Sequence, residues 1–173
     1  MLLSETNPRD KQWTCLLYTS DAADVLSKLN PKAPLIIWNS DTIINGAPAG
    51  IPKGAWLLVA EQLESHFSFA RVENDQVLET AEKVRISPLA TAGLYGFAEI
   101  EQYLNLVKNE IKIRKIEDKS EMYVAPLYNK LIADGVKVTA LQIPTKAMQS
   151  VGTPDEVRIV CAKRDWSIPE ELH

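Results

Sequence analysis

The stretch "PLIIWNSDTII" (residues 34–44) decides how the chain is read. Five apolar residues run directly into Asn39, Ser40 and Asp41, and apolar residues then resume. Pro34 before and polar residues after bound a strand over Leu35–Trp38. In open α/β sheets, ligands bind outside the carboxyl ends of strands. A carboxylate delivered there can hold Mg²⁺, which takes hard oxygen ligands and shares them with substrate phosphates. Taken alone, Asp41 reads more readily as a turn former or helix cap.

Outward from that stretch, "NGAPAGIPKG" (45–54) is a loop dense in Gly and Pro. "AWLLVAE" is a continuous apolar run, as expected of a strand covered on both faces. "FSFARV", the turn "END" and "QVLETAEK" read as a hairpin. "ATAGLYGFA" (90–98) is a further apolar strand whose glycines allow close backbone approach. "EIEQYLNLVKNEIKIRKI" has helical periodicity with a charged outer face. "SEMYVAPLYNKLIADG" reads as helix from a Ser120 cap to a stop at Gly135, kinked or divided at Pro126. "VKVTALQIP" is a strand. A last helix begins with Thr153 as N-cap, Pro154 in first position, and Asp155 and Glu156 in the first turn. Strands alternating with helices predict an α/β layered sheet.

The 173 residues suffice for one domain with a sizeable core. Net charge is -4, without the basic excess of a nucleic-acid binder. No apolar run reaches membrane-spanning length. Two distant cysteines, Cys15 and Cys161, make no disulfide framework and point to a reducing, cytoplasmic setting. His66 and His173 form no ligand cluster, which argues against zinc.

"CLLYTSDAAD" (15–24) differs from its surroundings. It can be encoded as TGT CTC TTA TAC ACA TCT GAC GCT GCC GAC, which resembles a transposon-end adapter used in sequencing libraries. Residues 1–24 are therefore expected to be an artefactual or non-native leader; the alternative is a genuine amphipathic helix, since "DAADVLSKL" has that pattern. Residues 25–164 are expected to form a partial catalytic domain, and 165–173 a loose tail.

Four motifs in order, "PLIIWNSDTII", "ETAEKVRISPLATAGLYGF", "SEMYVAPLYNKLIADGVKV" and "SVGTPDEV", resemble the sugar-nucleotidyltransferase family, over about residues 33–164. That family includes nucleotide-sugar pyrophosphorylases such as glucose-1-phosphate thymidylyltransferase. The resemblance implies a Rossmann-like mixed β-sheet flanked by helices. Residue by residue, it implies that Asp41 holds the catalytic magnesium. Asn39, at the same strand end, is implied to bind substrate. Glu82 and Lys83 match a Glu-Lys pair of the sugar-phosphate pocket. Ala92, Gly93 and Tyr95 match a segment lining the sugar site, and Glu121 matches one bordering the acceptor sugar. The implied partners are a nucleoside triphosphate and a sugar 1-phosphate. The implied reaction is in-line nucleotidyl transfer with release of pyrophosphate, for cell-surface polysaccharide precursors. Two departures stand out. The family's Gly-x-Gly-x-Arg loop has no counterpart, so the chain is expected to be an inactive C-terminal fragment. Ser150 stands where many members carry a second metal-binding aspartate. A glycosyltransferase-A-type enzyme, a cytidylyltransferase and a non-catalytic binding module related to these enzymes remain open alternatives.

Overall fold

A computed structural model describes residues 15–168 except 47, 49 and 114–121; for 15–20 it describes the backbone alone. A six-stranded mixed sheet runs in the order β1, β6, β3, β7, β5, β4. The strands are β1 (Leu35–Trp38), β3 (Ala55–Glu61), β4 (Ser68–Glu73), β5 (Gln76–Glu82), β6 (Leu89–Phe97) and β7 (Val138–Gln142). Among the described residues, β3 and β7 pair in parallel and the other pairings are antiparallel. A separate ribbon joins β2 (Thr42–Ile44) to β8 (Met148–Ser150). The helices are α1 (Cys15–Ser27), α2 (Ile100–Ile113), α3 (Leu127–Ala133) and α4 (Pro154–Arg164).

The sheet separates two apolar clusters. The larger joins Leu35, Ile37, Leu57, Val59, Tyr95 and Phe97 to residues of α2 and α3 and to Ala23 of α1. The smaller lies on the other face, where Trp56, Leu58, Ala92 and Leu94 meet Ile143, Ala147 and Met148. β3 contributes to both, and its six residues from Ala55 to Ala60 are buried, as expected of a strand covered on two sides. The expected boundary after residue 24 falls inside α1, and Ala23 is 1% exposed in the main core.

One local reading changes, and two further features appear. β1 is covered on one face only: Leu35 and Ile37 are buried, whereas Ile36 and Trp38 are exposed. It is an edge strand, and the second apolar cluster does not reach it. Helix does not extend through the described residues just before Pro126. Residues 122–126 are non-helical and α3 begins at Leu127, with Pro126 at its N-cap; Ser120 lies outside the described residues. The β2–β8 ribbon joins segments about a hundred residues apart, and no local pattern announces it. The "END" turn forms as read, with Asn74 and Asp75 both left-handed (φ 48° and 61°), the geometry of a tight hairpin. Among the described residues, no helix is long and apolar enough to cross a membrane.

Candidate acceptor and metal site

β1 ends where β6 bends. The Asn39 N–H donates to the Gly93 carbonyl at 2.8 Å. Gly93 has φ +69°, and a Cβ there would lie 3.1 Å from the Asn39 Cβ and 3.2 Å from Thr42 Oγ1. Backbone conformation therefore favours glycine, and a side chain there would also crowd Asn39. The bend turns the chain at Asn39–Asp41 toward β2. There the Asp41 carbonyl accepts from Val151 N–H at 2.7 Å, which fastens it to the end of β8.

These segments enclose one side of a cavity of about 550 Å³. Asn39, Asp41, Glu82, Lys83, Gly93 and Tyr95 all line it, although they come from three separate stretches of chain. Ala92 does not: it is fully buried in the smaller cluster, behind the wall. Glu121 lies outside the described residues. Lining residues outside the expected set include Ser68, Thr91, Tyr123, Ser150 and Glu156.

The walls are hydrogen-bonded among themselves. Ser68 Oγ donates to Glu82 Oε2, and Lys83 Nζ donates to the Tyr123 hydroxyl. The Lys83 ammonium also lies over the Tyr123 ring, 4.7 Å from its centroid, a cation–π arrangement. Tyr95 is almost wholly buried, and its hydroxyl lies 3.0 Å from Oγ1 of Thr91, another lining residue. At the opposite wall, Thr153 and Glu156 form a capping box. Thr153 Oγ1 accepts from Glu156 N–H, and Glu156 Oε2 accepts from Thr153 N–H at 2.9 Å. Partial burial works to raise the Glu156 pKa. Hydrogen bonds from Ser150 and Thr153, with a smaller contribution from His66, outweigh it and hold the carboxyl below its usual range.

The donor set near Asp41 suits a hard cation. Among the described residues, Asn39 Oδ1 is buried with no hydrogen-bond partner, which leaves an oxygen acceptor two residues from Asp41 unsatisfied. A Cβ placed on Gly152 would lie 3.7 Å from Asp41 Oδ2 and 3.7 Å from Glu156 Oε2, so two carboxylates flank that glycine. Among the described residues, no group of three or more His, Cys, Asp or Glu is placed to hold a metal. Magnesium commonly binds through one or two carboxylates, with water and phosphate oxygens completing its shell. The residues present fit that pattern better than an all-protein cage.

Three solved structures share this arrangement of chain. The nucleoside-diphosphate-sugar pyrophosphorylase of Vibrio cholerae superimposes with a TM-score of 0.72 at 28% identity, over 83% of this chain and 63% of that one. The chain has the fold of the sugar nucleotidyltransferases. A Bacillus anthracis protein described as a glucose-1-phosphate thymidylyltransferase, in complex with sucrose, gives a TM-score of 0.62 at 17% identity, over 88% of this chain and 63% of that one. The inositol-1-phosphate CTP transferase of T. maritima gives 0.58 at 10% identity, over 79% and 56%. The last two matches bear on fold alone. This chain spans less than two thirds of the length of each neighbour. No family model and no curated protein matches the chain.

Proposed function

We propose that the cavity is the acceptor site of a sugar nucleotidyltransferase, which binds a sugar 1-phosphate beside a magnesium ion at Asp41. The supporting observation is convergence. A strand-end carboxylate, a Glu-Lys pair and a glycine bend, separated in sequence, line one cavity. Glu82 accepts hydrogen bonds from sugar hydroxyls, and Lys83 meets the acceptor phosphate. Asp41 and the Asn39 side-chain oxygen would hold the cation; Glu156 and Ser150 line the same cavity. When bound, magnesium neutralises phosphate charge during in-line attack on a nucleoside triphosphate. The rest is positioning: no side chain here has to move a proton far, because orientation and charge neutralisation carry this class of reaction.

The sequence has no Gly-x-Gly-x-Arg loop to cradle a triphosphate. The chain alone is therefore expected to bind the acceptor without measurable turnover. Calorimetric titration with glucose 1-phosphate and Mg²⁺ tests binding, and pyrophosphate release from each nucleoside triphosphate tests turnover. Binding that is lost in Lys83→Met supports the reading. Sugar-phosphate binding unaffected by Lys83→Met and Asp41→Asn contradicts it.

A further inference from the structure

Among the described residues, one edge of β5 lacks a strand neighbour over most of its length. β4 pairs with β5 from Ser68↔Glu82 to Glu73↔Gln76, but on the other edge β7 meets it only at Gln76↔Thr139. Farther along that edge a side chain takes the strand's place. Asn129 Oδ1 accepts from the Thr80 N–H at 2.8 Å, and Asn129 Nδ2 donates to the Thr80 carbonyl at 2.8 Å. Those are the two bonds an antiparallel neighbour would exchange with Thr80. The Thr80 hydroxyl, on a residue only 3% exposed, donates to the Ala125 carbonyl at 2.7 Å.

The clamp stands immediately behind the cavity. Two residues beyond Thr80, β5 delivers Glu82 and then Lys83. Two residues before Ala125 stands Tyr123. The two segments meet again in front, where Lys83 contacts the Tyr123 hydroxyl and ring. Lys83 is left-handed, with φ +54°, although it carries a side chain. Such a conformation persists only where the surroundings impose it. Its N–H is held by the Phe67 carbonyl at 3.1 Å, and the clamp fixes the strand just upstream.

We infer that Thr80 and Asn129 are positioning residues: their clamp sets the placement of Lys83 against Tyr123 across the cavity, and through it the affinity for a phosphorylated acceptor. The effect on affinity rests on the acceptor-site reading; the effect on Lys83 does not.

Nuclear magnetic resonance of the whole chain tests the inference. The chemical shifts of the Lys83 side-chain protons should report the adjacent Tyr123 ring and hydroxyl, and they are read without ligand. Thr80→Val removes the hydroxyl at constant shape, Thr80→Ser keeps it, and Asn129→Asp removes the donor to the Thr80 carbonyl. The Lys83 shift is expected to collapse toward its free value in Thr80→Val and Asn129→Asp and to persist in Thr80→Ser. The dissociation constant for glucose 1-phosphate should rise about tenfold in the first two and stay near wild type in the third. A lower melting temperature with an unchanged Lys83 shift would make the clamp purely structural and overturn the inference. If wild type binds no glucose 1-phosphate but the shift responds as expected, the acceptor reading falls and the positioning role stands. If Asn129→Asp does not fold, Thr80→Val carries the test, since it leaves both backbone bonds to Asn129 in place.

Discussion

Asn39 and Gly93 are locked together at the end of β1: the Asn39 N–H bonds the Gly93 carbonyl at 2.8 Å, and the Asn39 Cβ occupies the space a Gly93 side chain would need. The bend that aims Asp41 at the cavity therefore depends on a residue of the neighbouring strand. Gly93→Ala should strain the left-handed backbone and push Asn39 aside, at a cost of about 1–3 kcal/mol. Urea unfolding measures the cost, and metal binding should weaken with it. A neutral substitution would show that the bend does not need glycine.

Gly96 makes a separate prediction. A Cβ there would lie 2.1 Å from the buried Trp56 ring, so the indole must move. The Tyr128 hydroxyl lies 2.9 Å from both the Trp56 and Gly96 carbonyl oxygens, which ties α3 to this point of the sheet. Gly96→Ala should cost about 1–3 kcal/mol through overpacking. Tyr128→Phe should cost about as much, by leaving buried carbonyls short of a donor. Neither residue lines the cavity, so sugar-phosphate affinity should survive both changes under conditions where the variants are folded.

The opposite wall is predicted to respond to pH. A carboxyl whose folded pKa is lowered contributes stability that is present above its unfolded pKa and is lost as pH falls through the folded value. Glu156 is such a group: its burial is outweighed by hydrogen bonds from Ser150 and Thr153. Glu156→Gln can keep the capping box but not the charge. Wild type should exceed Glu156→Gln in stability near neutral pH, with the gap closing as pH falls through the carboxylate range. Unfolding followed at several pH values measures it, and a gap independent of pH would contradict the assignment. Thr153→Ala, which removes the cap itself, should cost about 1 kcal/mol.

Much of this arrangement was legible in the sequence because its signals are local. The strand at 35–38, the buried run at 55–60, the Asn74–Asp75 turn and the Thr153–Pro154 helix start each follow from a few adjacent residues. What escaped was non-local. Tyr123 meets Lys83 across forty residues, and Asn129 meets Thr80 across forty-nine, on an α3 that begins later than periodicity suggested. Glu156 read as a first-turn residue, which it is; only the β2–β8 ribbon brings it to the cavity. Ala92 shows the converse. It follows the motif in sequence, but strand alternation turns its side chain to the core face while its neighbours Thr91 and Gly93 line the cavity.

The central claim is that Asp41 holds a divalent cation beside a phosphorylated acceptor. The most direct measurement is paramagnetic broadening of amide resonances on addition of Mn²⁺, as a substitute for Mg²⁺, in the presence of glucose 1-phosphate. Broadening should centre on Asn39–Thr42, Gly93 and Ser150–Gly152, and should vanish in Asp41→Asn. Broadening centred elsewhere, or unchanged in that variant, would contradict it.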